Sequence, residues 1–211
     1  MTLPLFGRVS EASYLIPAGV GLWVFRRLSA PLKIVAVLAL LTCIVVAIEI
    51  IAAYLIHYNN FVTNFFEMVE FVVIVIAYFL YVRNRNSRLI LISLSVPVIA
   101  VFLIKLPHLY NPSVIAENTS VVSRLALVAL SLVALQSVMD SGTERVVDVP
   151  FFWVVFGVML YSAGTIMVFG LADRLLKIGL PYFEMGWRVN WLLNIAANLF
   201  YTEAFLCRRQ L

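Results

Sequence analysis

The sequence predicts an all-α fold: a polytopic membrane protein built as a seven-transmembrane-helix bundle, with its N-terminus outside and its C-terminus cytoplasmic. Three observations predict it. Of the 211 residues, 64% are hydrophobic and 12% charged, against about 25% charged in an ordinary soluble domain. The apolar residues gather into runs close to the roughly 20 needed to cross a bilayer. The basic residues between these runs fall mainly on one side of the implied membrane.

One transmembrane helical domain is expected over 1–211, with helices at about 11–25, 32–57, 61–82, 89–110, 120–139, 150–171 and 183–207. The first run is short, and Arg26-Arg27 follow it. A cleavable signal carries its positive charge ahead of the apolar stretch, so this helix is read as retained. The second places Thr42, Glu49 and Ala53 on one face, with Glu49 roughly 24 Å beyond Lys33 at 1.5 Å per residue. In the third, Asn60, Thr63, Glu67 and Glu70 recur at spacings of three and four and so form one stripe. The fourth contains Pro97 and Pro107, which break its backbone ladder and either hinge it or leave carbonyls free for a bound group. Lys105 lies near its outer end, and Arg124 lies in the first turns of the fifth helix.

The sixth helix opens on Pro150, which suits a first turn, with Asp148 as the expected cap. Gly157, Tyr161 and Gly164 share one face, where small residues permit close helix contact. The hydroxyls of Tyr161, Ser162 and Thr165 either line a cavity or bond a neighbouring helix. In the seventh helix Glu184, Trp187, Asn190, Asn194, Asn198 and Tyr201 follow one stripe, and Arg188 sits near its outer end. The connections 111–119, 140–149 and 172–182 are too short to hold a second folded unit.

Orientation follows from the basic residues, which short cytoplasmic loops retain. Arg26, Arg27, Lys33, Arg83, Arg85, Arg88, Arg145, Arg208 and Arg209 lie on one side, against Arg8, Arg174 and Lys177 on the other. The net charge of +4 is therefore a topology signal. The dispersed basic residues form no aromatic-studded patch, so no nucleic acid is expected as a partner. Cys43 and Cys207 fall at different depths and are not expected to pair. Asn118-Thr119-Ser120 matches a glycosylation sequon, which carries meaning only in a host that glycosylates.

Three acids, Glu49, Glu67 and Glu70, and three bases, Lys105, Arg124 and Arg188, fall within these apolar segments or at their outer ends. A charge near the bilayer centre costs roughly 2.5 to 3.5 kcal/mol, so they are expected to face the bundle interior, paired or wet. Pairing of Glu67 or Glu70 with Arg124 or Arg188 suits the bidentate guanidinium, and Lys105 can instead snorkel. Glu203, beside Arg208 and Arg209, is read as interfacial. The candidate ligand-binding set is Glu49, Glu67, Glu70, Lys105, Arg124, Tyr161, Arg188, Asn190 and Asn194. The competing reading treats the amides as interhelical glue worth about 0.6 kcal/mol per hydrogen bond.

No catalytic residue and no cofactor is assigned. His57 and His108 sit at outer helix ends but form no HxxxH or HExxH pattern, so no metal site is expected. No paired Ser/Lys or Ser/His nucleophile is read within a segment, so support for enzymatic chemistry is weak. Residues 183–207 contain no lysine to hold a retinal Schiff base.

The run Leu15-Ile16-Pro17 through Gly21, then Phe25-Arg26-Arg27-Leu28-Ser29, Glu49, Phe65-Phe66 to Glu70-Phe71, and Phe152-Trp153 with Tyr161-Ser162-Ala163-Gly164 resembles a family of small uncharacterised bacterial membrane proteins. Its members are seven-span chains found mainly in Bacteroidota and often encoded near sensor histidine kinases. The resemblance implies a bacterial inner membrane and a sensing role. No active site is established for that family, so it transfers no catalytic role.

Three function classes follow. The first is a receptor or sensor that binds a small polar or zwitterionic ligand in an outward-facing cavity and signals to a separate cytoplasmic partner at loops 26–33 and 83–88. The second is a small-solute or proton-coupled transporter. The third is an intramembrane enzyme acting on lipid.

Overall fold

The structure is a computed structural model that describes residues 5–55, 60–109, 117–142 and 145–207, without the side chains of residues 60, 108, 109, 117, 118 and 173. The expectations placed on His57, Asn60, His108, Asn118, Arg208 and Arg209 therefore lie outside what is described.

The chain is all-helical: among the described residues no strand forms, and the α-helices are α1 (Leu5–Ser13), α2 (Leu15–Val24), α3 (Ala30–Leu55), α4 (Asn60–Tyr81), α5 (Arg85–Leu109), α6 (Glu117–Met139), α7 (Pro150–Ile178) and α8 (Leu180–Leu206). Among the described residues five stretches are long and apolar enough to cross a membrane: Ala30–Leu55, Phe61–Tyr81, Arg85–Pro107, Thr119–Met139 and Pro150–Ala172. The expected first helix at 11–25 is instead two helices, α1 and α2, followed by a 3-10 turn at Phe25–Arg27. Pro17 is the physical reason. It has no N–H to bond the Ser13 carbonyl four residues back, so the helix is interrupted there.

The other expected helices are present with shifted ends. The largest shift is in α7, which runs to Ile178 rather than 171 and meets α8 across Gly179 alone. Gly179 has φ 152°, a conformation that L side chains rarely adopt. Asp148 does not cap α7 as expected. Val149 occupies the N-cap with no side-chain hydrogen bond, while Asp148 closes the preceding 3-10 turn. The α5 helix runs through both Pro97 and Pro107.

The helices α2, α3, α4, α6, α7 and α8 pack in a closed ring, with α5 lying outside against α4 and α6 and α1 lying against α8. The two halves of the ring differ. Toward the end bearing Arg26, Arg27, Arg83 and Arg145 the interior is a dry core of Leu32, Tyr78, Leu130, Val138, Val155 and Phe205. Toward the opposite end the buried residues include Asn64, Glu67, Ser120, Ser123, Arg124, Thr165 and Asn194. The junction is marked by Tyr78, whose hydroxyl lies 2.8 Å from Ser131 Oγ.

A buried Arg124 centre as the candidate functional site

The chemistry of the polar half is organised around Arg124. The stripe Ser120, Ser123 and Arg124 on α6 turns toward the Glu67 and Glu70 stripe on α4. Arg124 is 5% exposed, and its Nη2 donates to Glu70 Oε2 at 3.2 Å. Its Nε stands 3.6 Å from Glu67 Oε1, an ion-pair distance but too long for a hydrogen bond. Glu67 is more fully answered than Glu70: Ser120 Oγ donates to its Oε2 at 2.5 Å and Ser123 Oγ to its Oε1 at 2.8 Å. Charge-assisted bonds of this kind are about twice as strong as neutral ones, so the two serines fix the position of the Glu67 carboxyl.

The guanidinium also has aromatic neighbours. Arg124 Cζ lies 4.7 Å from the Tyr161 ring centroid and 6.0 Å from that of Phe169, both on α7. Such contacts suit a desolvated guanidinium, which is weakly hydrated and stacks on ring faces. Glu49 joins from α3, where its Oε1 accepts a 2.7 Å hydrogen bond from Thr63 Oγ1, one turn before Glu67 on α4. Tyr14, Tyr161 and Tyr201 are all close enough to Glu70 to feel its charge.

The amide stripe of α8 serves α1. Asn194 Nδ2 donates to Ser10 Oγ at 2.9 Å, and Asn198 Nδ2 donates to Ser13 Oγ at 2.8 Å. Ser10 Oγ in turn donates to the Trp191 carbonyl at 3.3 Å. Asn190 Oδ1 is buried with no hydrogen-bond partner among the described residues.

Of the predicted set, the structure brings together Glu67, Glu70, Arg124 and Tyr161, with Glu49 on the adjoining helix. Of the two bases expected to answer Glu67 and Glu70, Arg124 takes both. Lys105 is half-buried and Arg188 exposed, and neither pairs with a carboxylate among the described residues. Arg188 is turned out because its neighbours Trp187 and Asn190 occupy the inward face of α8. Sequence reasoning missed Ser120 and Ser123, although their spacing ahead of Arg124 was a usable signal. It also missed Ser10 and Ser13, whose three-residue interval marks the inner face of α1.

Gly157 and Gly164 do lie on the α7 face that meets α8. A Cβ at Gly157 would stand 3.2 Å from Phe200 Cβ, and one at Gly164 would run into the Leu193 side chain. Compared with known proteins, the chain matches no family model, no curated protein and no solved structure.

Proposed function

We propose that the protein is a membrane-embedded sensor that binds a small polar solute with a cationic group at the Glu49, Glu70 and Arg124 centre and signals to a cytoplasmic partner. The observation that carries this reading is the charge imbalance. Glu67 and Glu70 share the Arg124 guanidinium and Glu49 on the adjoining helix has no ion-pair partner among the described residues, leaving two negative charges in excess when all are ionised. Glu67 is saturated by its serines. Glu70 and Glu49 each accept a single described hydrogen bond and retain lone pairs for a ligand's ammonium, while Tyr161 and Asn190 supply further polar edges.

The proposal includes seven crossings, with the N-terminus outside and the C-terminus in the cytoplasm of a bacterial inner membrane. Together α1 and α2 cover 5–24, about the 20 residues that a crossing takes. With 27 residues, α8 is long enough, and its amides face the bundle where they cost least. The dry core between the polar half and the Arg-rich end supports sensing over transport, because a transported ion would meet an apolar barrier there.

The test is native mass spectrometry of the detergent-purified protein beside Glu70→Gln, followed by solute flux in proteoliposomes. A small cationic mass retained by the wild type and lost in the variant, with equal thermal unfolding and no flux, is the expected result. Flux of the same solute would replace the sensor with a transporter. Equal retention by a folded Glu70→Gln protein would remove Glu70 from the site.

A further inference from the structure

At the Arg-rich end, on the far side of the dry core from Arg124, the ends of α3, α4, α6 and α7 and the loops beside them line an open groove of about 1460 Å³. Its level is set by where the apolar stretches stop. Leu80 and Tyr81 finish the stretch on α4, Ser137 lies in the last turn of α6, Pro150 opens α7, and Pro31 lies in the first turn of α3. The groove therefore straddles the boundary between hydrocarbon and headgroups.

Its lining is amphiphilic. Leu32, Leu80 and Phe151 give an apolar floor, where the Tyr81 and Phe151 rings stack with centroids 4.1 Å apart. Above it stand Arg83, Arg145, Asp140 and Asp148. None of these four charges has an ion-pair partner among the described residues, and the lining carries both signs.

We propose that this groove binds a zwitterionic phospholipid with a primary ammonium, of the phosphatidylethanolamine class. Arg83 and Arg145 take the phosphodiester, and Asp140 and Asp148 accept the ammonium N–H groups. Guanidinium matches phosphate oxygens as a charge-assisted fork. The two aspartates disfavour a purely anionic headgroup, and a quaternary choline has no N–H to give them. The volume exceeds the 300–1,000 Å³ of ordinary small-molecule pockets, leaving room for the first part of the acyl chains over the apolar floor.

The test is native mass spectrometry of the delipidated full chain titrated with phosphatidylethanolamine, phosphatidylglycerol or phosphatidylcholine of matched acyl chains, with circular dichroism to establish that each variant is folded. Phosphatidylethanolamine adducts should dominate in the wild type. The pair Arg83→Gln with Arg145→Gln should lower them at least tenfold, and the pair Asp140→Asn with Asp148→Asn should abolish the preference over phosphatidylglycerol. Soluble glycerophosphoethanolamine should fail to compete at equal concentration. Wild-type adduct levels in a folded Arg83/Arg145 variant, or equal retention of all three lipids by the wild type, would overturn the site. Competition by the soluble headgroup would overturn its assignment to a lipid.

Discussion

Arg124 is the residue on which the polar half of the bundle depends. A buried ion pair stripped of one member leaves the other charge uncompensated, a cost of about 3–5 kcal/mol. Arg124→Gln, which strands Glu67 and Glu70, should destabilise the protein by that order. Returning the centre to its original net charge with Glu67→Gln in the same chain should recover part of the loss, and thermal unfolding in detergent measures both. Ser120→Ala and Ser123→Ala each remove a hydrogen bond to a buried carboxylate and should cost about 1.5–3 kcal/mol. Thr63→Ala should cost less, because the Thr63–Glu49 bond is exposed. A larger loss at Thr63 than at Ser120 would mean that Glu49, not Glu67, is the more firmly held carboxyl. The sequence made Glu67, Glu70 and Arg124 legible as a group because depth along a helix follows from rise per residue. It did not separate Arg124 from Lys105 and Arg188, because choosing among them needs the direction each helix face points, and that comes from packing.

At the scale of elements, two contacts decide how the ends of the chain are held. The α7–α8 hairpin closes through Gly157 and Gly164, and Gly164→Val should force Leu193 aside at a typical overpacking cost of about 1–3 kcal/mol. Unfolding of the Gly164→Val protein at the wild-type temperature would show that the two helices can separate freely there. The α1 helix is tied to α8 by Ser10, Ser13, Asn194 and Asn198. Each hydrogen bond of this type is worth about 0.6 kcal/mol, so Asn194→Ala with Asn198→Ala should raise hydrogen exchange selectively in 5–13 and leave α3 to α7 protected. Uniform loss of protection would instead make α1 part of the cooperative core. The small-residue face of α7 could be read from its spacing. The interruption before α2 was also written in the sequence, as Pro17, but the hydropathy run concealed it.

For the whole molecule, the ring closes on an interior that is dry at one end and charged at the other, and the arginine-rich loops lie at the dry end. With that end cytoplasmic, a membrane-impermeant thiol reagent should label Ser29→Cys only after the cells are opened, and Leu180→Cys in intact cells, each in a Cys43→Ser and Cys207→Ser background. The reverse pattern would invert the proposed topology. The sequence by itself determined that the chain is helical and built to cross a membrane, where most of its helices lie, apart from the split of the first and the longer reach of α7, and that a few acids and bases must be hidden together. Those properties are local or compositional: twenty apolar residues in a row cannot be solvated, and a charge in hydrocarbon must find a partner. Only the tertiary structure decided that Arg124 serves both Glu67 and Glu70, that Asn194 and Asn198 hold α1, and that Lys105 and Arg188 stand apart. Those outcomes depend on the rotation of each helix about its own axis against its neighbours, which many residues far apart in the chain settle together.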